Sequence, residues 1–292
     1  MSKQEQSEKK SHKDDGGESG IGPWPLDDLQ RHLAPISARA WKEIQSTATE
    51  VLTVNLAARK LVDFRGPLGW QKSAVGLGTV EPLMPPPVEG VAAARRQVQP
   101  LTELRAGFVL ARAELDRIDR GGHAPDLTPL TEAATRLARA EDRAVFHGYP
   151  PGAIAGIRVS SAEVTRHGAS TTGYPSLLAE AVRRLRIAGV GGPYGMAAGD
   201  ACFTELHSAT ARDGFLLLDA VKQILGGPIV WAPAVDGAVV ISMRGGDFRL
   251  TVGRDIAIGY LGHTATSVEL YLEESFTFEV LAPEAAIWLR LE

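Results

Sequence analysis

The chain has 292 residues, 44% apolar and 23% charged, with a formal charge of -4. This is enough for one large domain or two ordinary ones and excludes wholesale disorder, a collagen-like repeat and a disulfide scaffold. The slight acidity gives no basic footprint for nucleic acid, the single cysteine, Cys202, excludes an intrachain disulfide and a thiolate metal cage, and no apolar run approaches the roughly 20 residues of a membrane helix.

Residues 1–22 interleave Lys3, Lys9, Lys10 and Lys13 with Glu5, Glu8, Asp14, Asp15 and Glu18 and contain almost nothing apolar, so a solvated, disordered tail without a signal-peptide core is expected. From Ser37, a fitting N-cap, the residues Trp41, Ile44, Ala48, Leu52 and Leu56 recur every three or four positions, predicting an amphipathic helix that ends before Gly66-Pro67. Residues 65–100 are rich in Gly and Pro, including Met84-Pro85-Pro86-Pro87, and admit short strands such as 74–77 but no helix. So long a segment without its own core reads as an arm that finds its partner outside its own domain. Residues 104–110 read as a strand, and Thr128, as cap, with Pro129 opens a second long helix whose stripe runs Leu130, Ala133, Ala134, Leu137, Ala138 and Val145 to a stop at Gly148. A Gly/Ser-rich region at 152–173 leads to helices at 175–187, closed by Gly189, and 215–225. The rest is β in character: 229–232, 238–242, 248–252, 256–260, 268–272, 276–280 and 287–291. Helices first and antiparallel strands later make the class α+β.

The residues themselves offer no active site. No two of the seven histidines lie within five positions of each other, so a local metal pair is absent. The run Gly189-Val190-Gly191-Gly192-Pro193-Tyr194-Gly195 has Tyr194 where a dinucleotide loop needs its third glycine and follows a helix, so it reads as a turn. No G-x-S-x-G elbow occurs. The adjacent carboxylates Glu141-Asp142 and Glu273-Glu274 point in different directions on a helix or strand and read as surface charges, or as partners of Arg143 and Arg290.

A chain-long set of segments carries more information: LAPI at 33–36, AWKEI at 40–44, RKLVD at 59–63, GPLGW at 66–70, ELDRIDRG at 114–121, AEDRAVFHGY at 140–149, AGVGGPY at 188–194, IVWAPAVDG at 229–237, RGGDF at 244–248, IGYLGH at 258–263 and LEESFTF at 272–278. In order and spacing these resemble the family 1 encapsulin shell proteins, the linocin/CFP-type bacteriocin family, most closely its actinobacterial members. The resemblance implies the tailed-phage major capsid protein fold, Hong-Kong-97-type, with a P-domain, an A-domain and an E-loop. On this template 1–22 is the tail, 23–64 the N-terminal helix of the P-domain, 65–100 the E-loop, 101–148 the P-domain with its spine helix, 149–235 the A-domain and 236–292 P-domain strands.

The resemblance also implies function: a self-assembling, non-catalytic subunit of a cytoplasmic bacterial nanocompartment, with about sixty copies in the smallest icosahedral shell. Such a shell encloses a dye-decolorising peroxidase or a ferritin-like, iron-storing protein through the cargo's C-terminal peptide. By position, Ile44, Ala48, Leu52, Leu56, Arg59 and Asp63 are the implied peptide contacts, although the apolar stripe also suits core packing. Arg212, Asp213, Gly214 and Phe215 are the implied five-fold pore loop. A flavin-binding relative carries a tryptophan where this chain has Ala113, so no flavin is expected, nor any metal or other cofactor on the shell, and no nucleic acid or membrane partner. A phage-type capsid subunit and a stand-alone enzyme, a hydrolase, are the alternatives.

Overall fold

The computed structural model describes residues 28–166, 174–208 and 217–291. The tail at 1–22 and the loop residues Arg212, Asp213, Gly214 and Phe215 lie outside them.

The first helix, α1 (Ala38–Asn55), is capped as its sequence predicts, the Ser37 hydroxyl accepting from the Ala40 N–H at 3.0 Å. A short strand β1 (Asp63–Arg65) follows, then the arm: β2 (Ala74–Leu83) pairs antiparallel with β3 (Ala93–Pro100) and with no other strand among the described residues. Strand β4 (Thr102–Ala111) runs into α2 (Arg112–Asp119) and then α3 (Thr128–His147). Thr128 does not cap α3: the N-cap position is Leu127, without a side-chain cap, and just before it the Asp126 carboxylate accepts from the Thr128 N–H at 3.0 Å, the two-residue reach natural to an Asx turn. At the other end Gly148 has φ +91°, and a Cβ there would stand 2.3 Å from the Ala155 carbonyl oxygen, so a glycine is required for the chain to double back.

After the single turn α4 (Ile157–Ser160) come β5 (Ala162–Arg166), α5 (Tyr174–Ile187), β6 (Tyr194–Ala198), α6 (Asp200–Ser208), α7 (Leu217–Leu225) and the strands β7 (Gly226–Trp231), β8 (Ala238–Ser242), β9 (Phe248–Val252), β10 (Ala257–His263), β11 (Ser267–Val280) and β12 (Ala286–Leu291). The two strands expected at 268–272 and 276–280 are one, because Glu273 and Glu274 between them are paired and stay in the ladder.

Two five-stranded sheets organise these elements. In the first, β11 is the axis: β4 runs along one edge, and β10 and then β9 occupy the other, with β1 parallel to β9. Helices α1 and α3 cover one face, burying Ile44, Leu130 and Leu137 against Phe108, Leu110, Leu270 and Leu272. Each such side chain contributes about 1.5–3 kcal/mol by leaving water. The second sheet has the order β5-β12-β8-β6-β7. Its core joins Leu178, Leu185 and Val221 of the helices to Val239, Ile241 and Trp288 of the strands.

Residues 236–292 contribute strands to both sheets. Strands β9, β10 and β11 belong to the first sheet, while β8 and β12 return to the second, beside strands from 149–235. The chain therefore crosses between the two sheets twice after residue 235, which local patterning does not encode. Helix α6 is likewise unread in the sequence: only Cys202 and Leu206 of its nine residues are buried, too few to make a stripe.

Candidate functional site

The end of α1 builds the candidate site. Successive i, i+4 positions advance by about 40° around a helix axis, so a row that starts over the core drifts to its rim. Ile44 and Ala48, expected to touch a peptide, are fully buried and belong to the core. Leu52 is half-buried, and with Leu56 it reaches a surface groove of about 360 Å³. Thr49 and Thr53 of α1, Lys60, Asp255 and Ile256 complete the lining. It is an apolar trough with polar lips.

Arg59 forms one wall, and its guanidinium is occupied. The turn Ala58–Lys60 points it between α3 and β11, where Nε and Nη2 donate to Glu141 at 2.6 to 2.9 Å, Nη2 donates to Glu274 Oε2 at 2.9 Å and Nη1 to Asp255 Oδ1 at 2.6 Å. Asp63, by contrast, is not brought to the groove. It lies in a smaller cleft of about 80 Å³, its Oδ2 accepting from the Gly246 N–H at 2.6 Å.

The carboxylates expected at the surface are therefore buried. Glu141 and Glu274 are fully enclosed, and Asp142 accepts from the N–H groups of Ala57 and Ala58 at 3.0 and 2.9 Å, pinning the turn that follows α1 to α3. Their partners are Arg59 and backbone amides, not Arg143; on the other face of the sheet Glu273 pairs with Arg105 and Arg254. Burial acts first to lower the Arg59 pKa, but its hydrogen bond to Glu141 and the charges of Glu141 and Glu274 outweigh it and hold the guanidinium above its ordinary value. Burial and then the Glu141 charge push Glu274 upward, and burial pushes Asp142 up to about 7 against the pull of its two backbone donors. This cluster is a structural post: two helices and a strand are tied through one cation, and removing a partner from such a network leaves an uncompensated buried charge.

The arm is the second feature of note. Leu77, Val80, Leu83, Met84, Val88 and Val98 all point to solvent, Met84 being 83% exposed. Its root is fixed by the Gln99 side-chain amide, which donates to the Phe278 carbonyl at 2.7 Å. An exposed apolar hairpin anchored only at its base is a surface made for another molecule.

Among the described residues no group of His, Cys, Asp or Glu side chains could hold a metal ion, and no helix is long and apolar enough to cross a membrane.

A two-sheet body with a long helix laid on one sheet and a projecting hairpin is the architecture of capsid subunits. The fold matches a virus-like particle from Pyrococcus furiosus, with a TM-score of 0.58 at 16% identity over 85% of this chain and 98% of that one. It also matches the Gordonia phage Cozz structure, with a TM-score of 0.56 at 15% identity over 82% of this chain and 87% of that one. Within this class the sequence is more specific. A family model described as "Encapsulating protein for peroxidase" matches residues 26–277. The chain is 51% identical over 271 residues to a type 1 encapsulin shell protein of Rhodospirillum rubrum, covering 91% of this chain and 97% of the relative. It is 41% identical over 265 residues to that of Rhodococcus erythropolis, covering 90% of this chain and all of the relative. The chain belongs to the encapsulin shell protein family: it is a structural subunit that assembles with copies of itself.

Proposed function

We propose that this chain builds a closed cytoplasmic shell of about sixty copies and retains a cargo enzyme whose C-terminal peptide lies in the groove at the end of α1. The observation that carries the reading is the trough itself: half-buried Leu52, backed by buried Leu56, offers an apolar floor, with Thr49, Thr53 and Lys60 on its lips. Ile44 and Ala48 support that floor from the core side, and Arg59 holds its wall. A weak single site suffices, because an oligomeric cargo presents several peptides at once. A peroxidase is the cargo class favoured by the description of the family model, with a ferritin-like iron-storing protein second. Haem or iron chemistry then belongs to the cargo, and Ala113 provides no aromatic face for a flavin.

Co-expression with a dye-decolorising peroxidase tests this reading. Haem absorbance per unit of shell protein in purified particles falls about tenfold when the peroxidase loses its C-terminal peptide, or when exposed Thr53 is replaced in Thr53→Arg, which fills the groove without touching the core. Undiminished loading in Thr53→Arg particles overturns the groove as the peptide's seat.

A further inference from the structure

The Arg59 post gathers more carboxyl groups than cations. Glu141 and Asp142 come from α3, Glu274 from β11 and Asp255 from the turn before β10. Against them stand Arg59 and, on the groove lip, Lys60, whose amine donates to the Val54 carbonyl at 3.2 Å. The end of α1 adds only the Asn55 amide, which donates to the Val51 carbonyl, and β1 adds the Phe64 ring, 5.2 Å from the guanidinium. Glu273 and Arg254, neighbours in sequence of Glu274 and Asp255, pair with each other on the opposite face of the sheet.

The two buried glutamates are served unequally. Both oxygens of Glu141 accept from Arg59, whereas Glu274 accepts through Oε2 alone and its Oε1 is buried without a donor. The two carboxyls are also hydrogen-bonding neighbours of each other. An ionised carboxylate can only accept, so two in such contact need a proton between them. Burial and the Glu141 charge act in the same direction, holding Glu274 well above the usual carboxylate range.

That proton bears on the groove wall. Nη1 is the one guanidinium nitrogen not committed to the glutamates; it donates to Asp255, and Arg59 and Asp255 both line the groove. When the proton passes to a base in solvent, Glu274 becomes a second buried anion beside Glu141, with an oxygen that no donor meets. Relief can enter from one side. The Arg59 side chain is 15% exposed and that of Asp255 45%, while both glutamates are closed off. Turning the guanidinium inward, or admitting water past it, costs the bond between Arg59 and Asp255.

We propose that Glu141 and Glu274 share one proton behind the groove and that its release parts Arg59 from Asp255, so that the groove grips a peptide at lower pH and lets it go at higher pH. The grip on a peptide rests on the reading of the groove as the cargo seat. The shared proton and the parting of the wall stand independently of it.

Infrared difference spectra between about pH 6 and about pH 9 test the proton in Asp142→Asn shells, where Asp142 no longer titrates. A carboxylic-acid carbonyl band is lost across this interval, and the loss is absent when Glu274→Gln is added. Glu141→Gln, which removes the competing charge, moves the loss to lower pH and serves in its place if Glu274→Gln shells do not form. Hydrogen exchange reads the wall through the Leu56 amide, which donates to the Leu52 carbonyl at the end of α1. At about pH 9 this amide exchanges about tenfold faster in the parent shell than in Glu274→Gln, and at about pH 6 the two agree. In peroxidase-loaded shells the amides of the cargo's C-terminal peptide follow the same pattern. A band that persists unchanged in Glu274→Gln or Glu141→Gln overturns the shared proton, and equal Leu56 exchange at about pH 9 overturns its coupling to the wall. Band and Leu56 as expected, with undiminished loading in Thr53→Arg, would overturn the cargo reading alone. Equal Leu56 exchange together with loss of loading in Thr53→Arg would keep the cargo reading and remove the latch.

Discussion

Asp142 shows how much the fold asks of single side chains. Both its oxygens accept backbone N–H groups of the turn after α1, yet it is almost wholly buried beside the charge of Glu141, with the charge of Lys60 pulling the other way. Its carboxyl is pushed up to about 7 in the folded chain, against an ordinary value near 4, so the folded state holds a proton that the unfolded state has released. The stabilising contribution is therefore complete below about pH 4 and is lost as the pH rises toward 7; buried Glu274 acts in the same direction. Asp142→Asn keeps one acceptor and removes the titration. Its melting temperature relative to the parent should rise between pH 4 and 7, and a difference independent of pH would contradict the assignment. The sequence carried a signal for this burial that adjacency obscured: 141 and 142 continue the spacing of Ala134, Leu137, Ala138 and Val145, so both positions fall inside the buried stripe of α3. What it could not supply was the cation, since Arg59 lies 82 residues away and meets Glu141 only after α1 and α3 have packed.

Among the elements, the β2–β3 hairpin is the one that the chain does not stabilise by its own core. Gly and Pro at 65–100 correctly exclude a helix, and the structure supplies the pairing Ala74↔Pro100 to Leu83↔Ala93 that no local pattern announces. Replacing 77–97 by a short Gly/Ser turn removes Leu77, Val80, Leu83, Met84 and Val88 while sparing the Gln99 anchor. The body should then melt within a few degrees of the parent, because surface changes away from the core cost about 0.5 kcal/mol or less. Light scattering should report a small species in place of a particle. A full-size particle from this variant would show that the hairpin is not an assembly contact. Element types were legible where periodicity is strong, as in α1 and α3. Sheet membership was not, because β8 and β12 are assigned by where the chain returns, not by their own residues.

At the scale of the whole molecule, identical subunits joined by unlike surfaces close only when successive rotations close. With a chain of 31.1 kDa, a shell of about sixty copies has a mass of about 1.9 MDa. Native mass spectrometry should find that value for empty particles. A mass several times larger would assign the chain to a larger shell, and a monomer or dimer across salt and pH would contradict closure. The family was readable from the sequence alone because its motifs run through the whole chain, whereas the groove needed the structure to show that Leu52 and Leu56 line it and Ile44 and Ala48 do not.

The solvent-facing side chains of the arm bear on how such a container begins and ends its life. A lone subunit has nowhere to lay Val80 or Met84, and a growing rim always carries some hairpins without seats. The earliest intermediates are thus the least favourable, and growth waits for a nucleus. In the proposed closed shell, with each arm seated on a neighbour, a departing subunit would have to lift its own arm and vacate its neighbour's. Dilution far below the concentration needed to start a shell should leave finished ones whole, so that building and dismantling follow different curves.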